Sequence, residues 1–171
     1  ALNDGLSWDA LDFANAETDP DPIVAVYRSN GQLVILGTRT TEFWGNSGIL
    51  YPAFIALQGT ATEWGMAATW SLAKYDNTFA CLMKNRMGQV MVAKMDGYLP
   101  KKISTVDLDF IINGYANNAG ASAYSYMLGG HPMYVINFPD AATWLFDGST
   151  GFWSKLKSAG INRHVVEFGF N

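Results

Sequence analysis

The residues best suited to nucleophilic or metal chemistry in this 171-residue chain are two histidines and one cysteine. His131 lies in a Gly-Gly-His-Pro turn, His164 lies near the C-terminus, and Cys81 lies within an apolar run. A hydrolytic triad needs histidine beside an activated serine, but the chain has no Gly-x-Ser-x-Gly turn. Two distant histidines and one cysteine give no metal-ligand spacing. The sequence therefore predicts no catalytic residue, no metal site and no cofactor, and the turn alone explains His131.

Paired carboxylates could instead hydrolyse glycosides, which requires two acids about 5–10 Å apart. The available acids beyond the N-terminal region are Glu42, Glu63, Asp76, Asp96, Asp107, Asp109, Asp140, Asp147 and Glu167. Most lie at predicted turns, where Asp bonds its own backbone. Asp96-Gly97 and Asp147-Gly148 occupy equivalent positions of a sequence repeat, which favours a structural role. We therefore expect that the chain is not an enzyme.

The charge is unevenly distributed along the chain, whose net charge is −4. Residues 1–27 contain no Lys or Arg but six acids, namely Asp4, Asp9, Asp12, Glu17, Asp19 and Asp21. Such a stretch is usually a solvated arm, and the sharper alternative is a docking strip for a basic partner. The acidic balance argues against general nucleic-acid binding. No Gly-centred loop supports calcium binding by this stretch.

Composition indicates a folded, strand-rich protein. Apolar residues make up 49% of the chain, charged residues 15% and aromatic residues 14%. This composition is too apolar for disorder, and the many large rings favour sheets. No apolar stretch approaches the roughly 20 residues that a membrane helix needs, so no membrane association is expected. The single Cys81 excludes an internal disulfide and is expected to be a small buried hydrophobe.

Predicted strands fall into three units after an extended acidic lead-in at residues 1–22, where alternating prolines oppose helix. Short apolar runs separated by Gly, Asn and Asp define the strands. They are 23–27, 33–36 and 40–44 in the first unit; 71–75, 78–83, 89–94 and 100–103 in the second; and 123–128, 133–138, 143–146, 152–156 and 164–168 in the third.

The three units repeat. Their first turns lie at 30–31, 76–77 and 129–130, which are 46 and 53 residues apart. Units of this length with three or four strands are typical of propeller blades. The continuous apolar runs of the middle strands indicate burial on both faces, as between stacked blades. A meander or sandwich with turns that recur by chance is the alternative.

We therefore predict an all-β fold with propeller-like blades of antiparallel three- to four-stranded sheets, about three of which are visible. The β-propeller-like domain would span 23–171, with blades at about 23–48, 54–104 and 121–168. One short helix would link the second blade to the third. It would begin at a capping box in Ser104-Thr105-Val106-Asp107 and end at Asn113-Gly114 after about two turns.

Several segments, in this order, carry a resemblance to a known family. They are Leu11-Asp12-Phe13 to Val24, Leu36 to Trp44, Tyr98 to Thr105, Gly130 to Pro139, and Thr143 to Asp147 with Thr150 to Trp153. Together they resemble the packaged-DNA stabilisation proteins of short-tailed bacteriophages. Each motif alone is weak, and their joint order over nearly the whole chain gives the match its specificity.

The resemblance implies a structural function. Such proteins are non-enzymatic tail accessory or hub proteins of the virion, built as β-propellers. They close the portal channel over packaged DNA and serve as a platform for the tail needle and tailspikes. The expected partners are other phage tail and portal proteins, with no sequence-specific nucleic acid, and the protein would be made in the host cytoplasm. The alternative is a carbohydrate-binding module or glycosidase-like propeller on a phage or cell surface.

One departure from the family concerns length. Members run to several hundred residues, and a closed propeller needs at least four blades. Either the chain is a fragment, or another copy supplies the missing blades. Open blade faces would favour a homo-oligomer. The residues proposed for interfaces are Asp9, Asp12, Glu17, Asp19, Asp21, Lys101, Lys102 and His131.

Overall fold

A computed structural model describes residues 20–49 and 52–165, which form three antiparallel sheets and one short α-helix. The first sheet contains β1 (Ile23–Ser29), β2 (Gln32–Gly37), β3 (Thr41–Asn46) and β4 (Phe54–Ala56). The second contains β5 (Trp64–Met66), β6 (Ala73–Tyr75), β7 (Thr78–Asn85), β8 (Val90–Asp96) and β9 (Leu99–Lys102). The third contains β10 (Ser122–Leu128), β11 (His131–Asn137), β12 (Thr143–Asp147) and β13 (Trp153–Leu156).

The first and third sheets are meanders in which neighbouring strands are consecutive in the chain, whereas in the second sheet both β5 and β6 pair with β7, followed by β8 and β9. The predicted turns at 30–31, 76–77 and 129–130 join β1 to β2, β6 to β7 and β10 to β11. Asn30 and Gly31 both have positive φ, as the tight hairpin turn requires. The predicted all-β class with blade-like antiparallel sheets is therefore confirmed.

Two short strands were missing from the sequence prediction. β4 pairs with β3, so the first sheet extends to Ala56, past the predicted limit near residue 48. β5 pairs with the far half of β7, so the second sheet begins at Trp64 rather than near residue 54. The predicted final strand, 164–168, lies mostly outside the described residues, and His164 and Val165 are not in a strand.

The second sheet is buried on both faces because its strands alternate between two apolar cores. Ala80 and Leu82 of β7 pack toward the third sheet, whereas Phe79, Cys81 and Met83 pack toward the first. β8 alternates in the same way, with Val92 on one side and Met91 on the other. Burial on both faces therefore explains the continuous apolar runs.

One edge strand of the second sheet is interrupted. β5 and β6 both pair with β7, and a 3-10 turn at Thr69–Ser71 separates them. The hydroxyl of Ser71 replaces a strand partner because it accepts a hydrogen bond from the Leu82 amide at 3.0 Å. The break therefore leaves this part of the β7 ladder satisfied.

The linking helix, α1 (Val106–Asn113), lies where the sequence predicts it. Its N-cap is Thr105, whose hydroxyl accepts from the Leu108 amide at 3.2 Å. Ser104 was expected to start the capping box, but its hydroxyl instead accepts from the Val92 amide at 3.1 Å. Leu108 and Ile112 face the core shared by the second and third sheets. No helix within residues 20–49 and 52–165 has the length and apolarity to cross a bilayer.

Candidate functional site

The outer two sheets each have a face turned away from the second sheet. In the first sheet this face carries Val26 and Ile35, which are cross-strand partners opposite the core-facing Val34. Val26 is 55% exposed. No further sheet within the described ranges packs on this face. Glu42 and Trp44 on the same face are only 5% and 7% exposed, so this face is partly covered although no further sheet packs on it among the described residues.

The corresponding face of the third sheet carries Tyr124, Tyr126, Val135 and Leu145. The rings of Tyr124 and Tyr126 are stacked, with centroids 6.1 Å apart. Val135 is nevertheless fully buried, and on the same face the His164 amide donates a hydrogen bond to Thr143 Oγ1 at 2.9 Å, so the segment around His164 covers part of this face. Both outer sheets thus combine one packed face with one that has no sheet partner among the described residues.

Asp21 links the segment that precedes β1 to the turn between β2 and β3. Its carboxylate accepts hydrogen bonds from the amides of Thr38, Arg39 and Thr40 at 3.0, 2.7 and 2.8 Å, and from both threonine hydroxyls. Its side chain is only 2% exposed. Burial raises the pKa of Asp21, but these hydrogen bonds outweigh it and hold the pKa below its ordinary 3.8. Asp21 therefore makes its contacts within the chain.

The other acids proposed for an interface are Asp9, Asp12, Glu17 and Asp19, which lie outside the described residues. Lys101 and Lys102 are exposed at the edge strand β9. The ammonium of Lys101 lies 3.8 Å from the Asp96 carboxylate, and Lys102 forms an ion pair with Asp109 of α1. Both lysines therefore pair with acids of the second sheet and of its linking helix.

His131 begins β11 and contacts the end of β12. Its Nδ1 lies 2.9 and 3.1 Å from the two carboxylate oxygens of Asp147. This hydrogen bond lowers the pKa of Asp147 to about 2; desolvation opposes the shift, and the Ser149 and Thr150 amides reinforce it. Asp147 therefore organises its own turn as well as holding His131.

Asp96 and Asp147 occupy equivalent positions, as the repeat predicted. Asp96 ends β8 and Asp147 ends β12, each one hairpin after the predicted first turn of its unit, and Asn46 at the end of β3 is their counterpart in the first sheet. The Asn46 side chain accepts from the Gly48 amide at 2.8 Å, as Asp147 does from the Ser149 amide at 2.9 Å. The geometry that Asn46 and Asp147 share indicates that these side chains form the turns that follow them.

Two surface features were not found from the sequence. An apolar groove lies between α1 and the second sheet, where Phe110 is 84% exposed and Trp64 forms the opposite wall. A polar pocket of about 460 Å³ lies between the first and second sheets. Three turns distant in the chain meet there, so no local sequence signal could reveal it.

The residues considered for nucleophilic or metal chemistry are not assembled into such sites. Cys81 is buried, and burial raises the pKa of its thiol to about 12. His164 Nδ1 lies 3.2 Å from Ser158 Oγ, which also accepts from the Val165 amide. Within the described parts of the chain, no group of three or more His, Cys, Asp or Glu side chains is placed to hold a metal ion.

Comparison with known proteins gave a family match and weak structural likenesses. The family model described as "Bacteriophage P22 Gp10, beta-propeller" matches residues 1–165. No curated protein matches the chain in sequence. The solved structure of an engineered GH43 glycoside hydrolase, with endo-xylanase and exo-arabinofuranosidase activity, matches at 15% identity and a TM-score of 0.37. That match covers 81% of this chain and 29% of the hydrolase, and it supports no assignment of activity.

Proposed function

Because the chain belongs to the phage DNA-stabilisation family described as bacteriophage P22 Gp10, beta-propeller, we propose that it is a non-enzymatic structural part of the phage tail. In this role it helps to close the portal channel over packaged DNA and provides a platform for the tail needle and tailspikes. Its partners are other tail and portal proteins, and its site of action is the virion after synthesis in the host cytoplasm.

The observation that carries this proposal is the packing of the second sheet between two others. Its apolar residues are divided between two cores, so a sheet of this kind is complete only with neighbours on both sides. The first and third sheets have the same apolar character but one sheet neighbour each in the described chain. The outer face of each, called its open face because no further sheet packs on it among the described residues, is suited to a further blade, because stacked sheets exclude water from both surfaces.

The further blades come from a second copy of this chain or from the rest of a longer polypeptide. Either source supports a propeller, which requires at least four blades. Sedimentation of the isolated 171-residue chain distinguishes them: a concentration-dependent oligomer indicates a second copy, and a monomer at all concentrations indicates a longer polypeptide.

Substitution on the open face tests the function in the phage that encodes the chain. Val26→Asp places a charge on the open face of the first sheet without entering either core, so the blade itself should still fold. We expect particles that package DNA and then lose it, measured as nuclease-accessible DNA after filling. Electrophoresis of purified particles should show loss of this protein and of the tail proteins added after it.

Met87→Asp is the matched control, because Met87 is 87% exposed in the turn between β7 and β8 and belongs to neither open face. Particles carrying it should retain their DNA. Equal DNA retention and equal incorporation in the Val26 and Met87 variants would refute a role for the open face in the virion.

A further inference from the structure

The pocket between the first and second sheets is formed by turns at one end of the blades. The Asn30 turn of the first sheet lies on one side, and the Asp76-Asn77 and Asp96-Gly97 turns of the second lie on the other. Its volume of about 460 Å³ falls within the roughly 300–1,000 Å³ of small-molecule sites. The end of the blades therefore offers room for a ligand of one to three sugar-sized rings.

Tyr98 is a fixed aromatic wall of this pocket. Its hydroxyl accepts a hydrogen bond from Gln32 Nε2 at 2.8 Å. Its ring meets Phe43 edge to face, with centroids 4.9 Å apart and planes at 78°. Contacts on both the hydroxyl and the ring hold the side chain in place, while 39% of Tyr98 stays exposed. A ligand that binds here gains aromatic contact without having to order the ring.

The polar groups of the pocket include donors and acceptors in balance. Asp76 and Asp96 supply carboxylate acceptors, Lys94 supplies a donor, and Asn30 and Asn77 supply amides. Lys101 lies 3.8 Å from the Asp96 carboxylate. The lining thus holds two acids and one ammonium, and Lys101, which lies outside the lining, offsets the second acid through its contact with Asp96, so the pocket and its immediate surroundings carry no formal net charge.

This balance decides between ligand classes. An anion such as phosphate would face two carboxylates, and a strong cation would face Lys94 and Lys101. A purely apolar ligand would bury the polar lining without partners. A neutral sugar has hydroxyls that both donate and accept, and an apolar ring face that can pack against Tyr98. We propose that this pocket binds a short neutral saccharide, an activity that goes beyond the structural role and does not depend on it.

The test uses the isotopically labelled full chain and three probes, namely maltotriose, cellotriose and mannotriose. Amide chemical shifts are followed by NMR at saccharide concentrations up to about 10 mM, which would detect dissociation constants near 1 mM. We expect at least one saccharide to shift the amides of Asn30, Asn77 and Gly97. Inorganic phosphate and free arginine, added at the same concentrations, should leave them unshifted.

Asp76→Asn is the informative variant because Asn tolerates the positive φ of 54° at this position. It replaces one carboxylate oxygen, an acceptor, with an NH2 donor, and it should weaken saccharide binding about tenfold. The matched control is Asp140→Asn, in an exposed turn that does not line the pocket, and its affinity should equal that of the unaltered chain.

Three results would overturn the proposal: no shift with any of the saccharides, stronger shifts with phosphate or arginine, or equal weakening by the Asp76 and Asp140 substitutions. Loss of binding in Tyr98→Ala, with amide shifts elsewhere unchanged, would confirm that the ring forms part of the site.

Discussion

The hydroxyl of Tyr134 in the third sheet donates a hydrogen bond of 2.7 Å to the carbonyl of Ser71 in the second. Both residues are fully buried. Ser71 lies in the 3-10 turn between β5 and β6, and its own hydroxyl accepts a hydrogen bond from the Leu82 amide of β7. The Tyr134 hydroxyl therefore links the third sheet to the 3-10 turn that separates β5 from β6 in the second sheet.

Replacing Tyr134 with Phe should destabilise the fold by about 1–3 kcal/mol, because the Ser71 carbonyl is left buried without a partner. Urea unfolding followed by tryptophan fluorescence measures the change. Tyr126→Phe is the matched control, since that hydroxyl makes no hydrogen bond within the described residues, and it should alter the free energy of unfolding by less than about 0.5 kcal/mol. Equal effects of both substitutions would contradict a role for the Tyr134–Ser71 bond.

Asp21→Asn should weaken the hydrogen bonds between the segment that precedes β1 and the turn between β2 and β3. An amide side chain cannot accept all the hydrogen bonds that the carboxylate receives, so we expect a loss of about 1.5–3 kcal/mol at neutral pH. Chemical unfolding at pH 7 measures it. Asp140→Asn, at an exposed turn, serves as the control and should change stability little.

The pH dependence of the same variant has a defined sign. The folded-state pKa of Asp21 is lowered, so its contribution is fully present above the unfolded pKa of roughly 4 and is lost as pH falls through the lower folded value. The stability difference between the unaltered chain and Asp21→Asn should therefore shrink below about pH 4. A difference that stays constant down to pH 2 would show that the carboxylate charge is irrelevant.

The pKa of Asp147 should depend on His131. It is held at about 2, chiefly by the hydrogen bond from the imidazole. His131→Gln removes the ionisable ring, and carbon-detected NMR titration should then show the Asp147 pKa moving up toward its ordinary value of 3.8. Lys101→Gln, which changes a charge elsewhere, should leave the Asp147 pKa in place. An unchanged value in His131→Gln would assign the shift to the turn amides instead.

Much of the fold could be predicted because the long strands have strong local signals. β7 and β8 are apolar on both faces and bounded by turns, and their burial between two sheets follows from that pattern. β4 and β5 could not be predicted, since each has three residues and depends on its pairing partner, which is β3 for β4 and β7 for β5. Tertiary pairing, and not local propensity, defines such short strands.

Contacts between distant segments limited the prediction of functional residues. Asp21 looked like part of an exposed acidic strip, yet its carboxylate is enclosed by a turn 17 to 19 residues further along the chain. No sequence spacing distinguishes such an acid from its neighbours. The structural roles of Asp96 and Asp147 were easier to predict, because the sequence repeat places both residues at equivalent turns.

Gly65 of β5 lies against the turn that joins β2 and β3, and it provides a sharp test of the packing between the first and second sheets. A Cβ at this position would overlap backbone atoms of Thr38 and Arg39, which cannot yield as a flexible side chain can. Gly65→Ala should therefore separate the two sheets locally and cost about 2–3 kcal/mol, measured by urea unfolding. Gly45→Ala is the matched control, because its Cβ would meet only the side chain of Leu57, at 3.1 Å. If both substitutions lowered stability equally, the contact between Gly65 and the Thr38–Arg39 backbone would not be what holds the sheets in register.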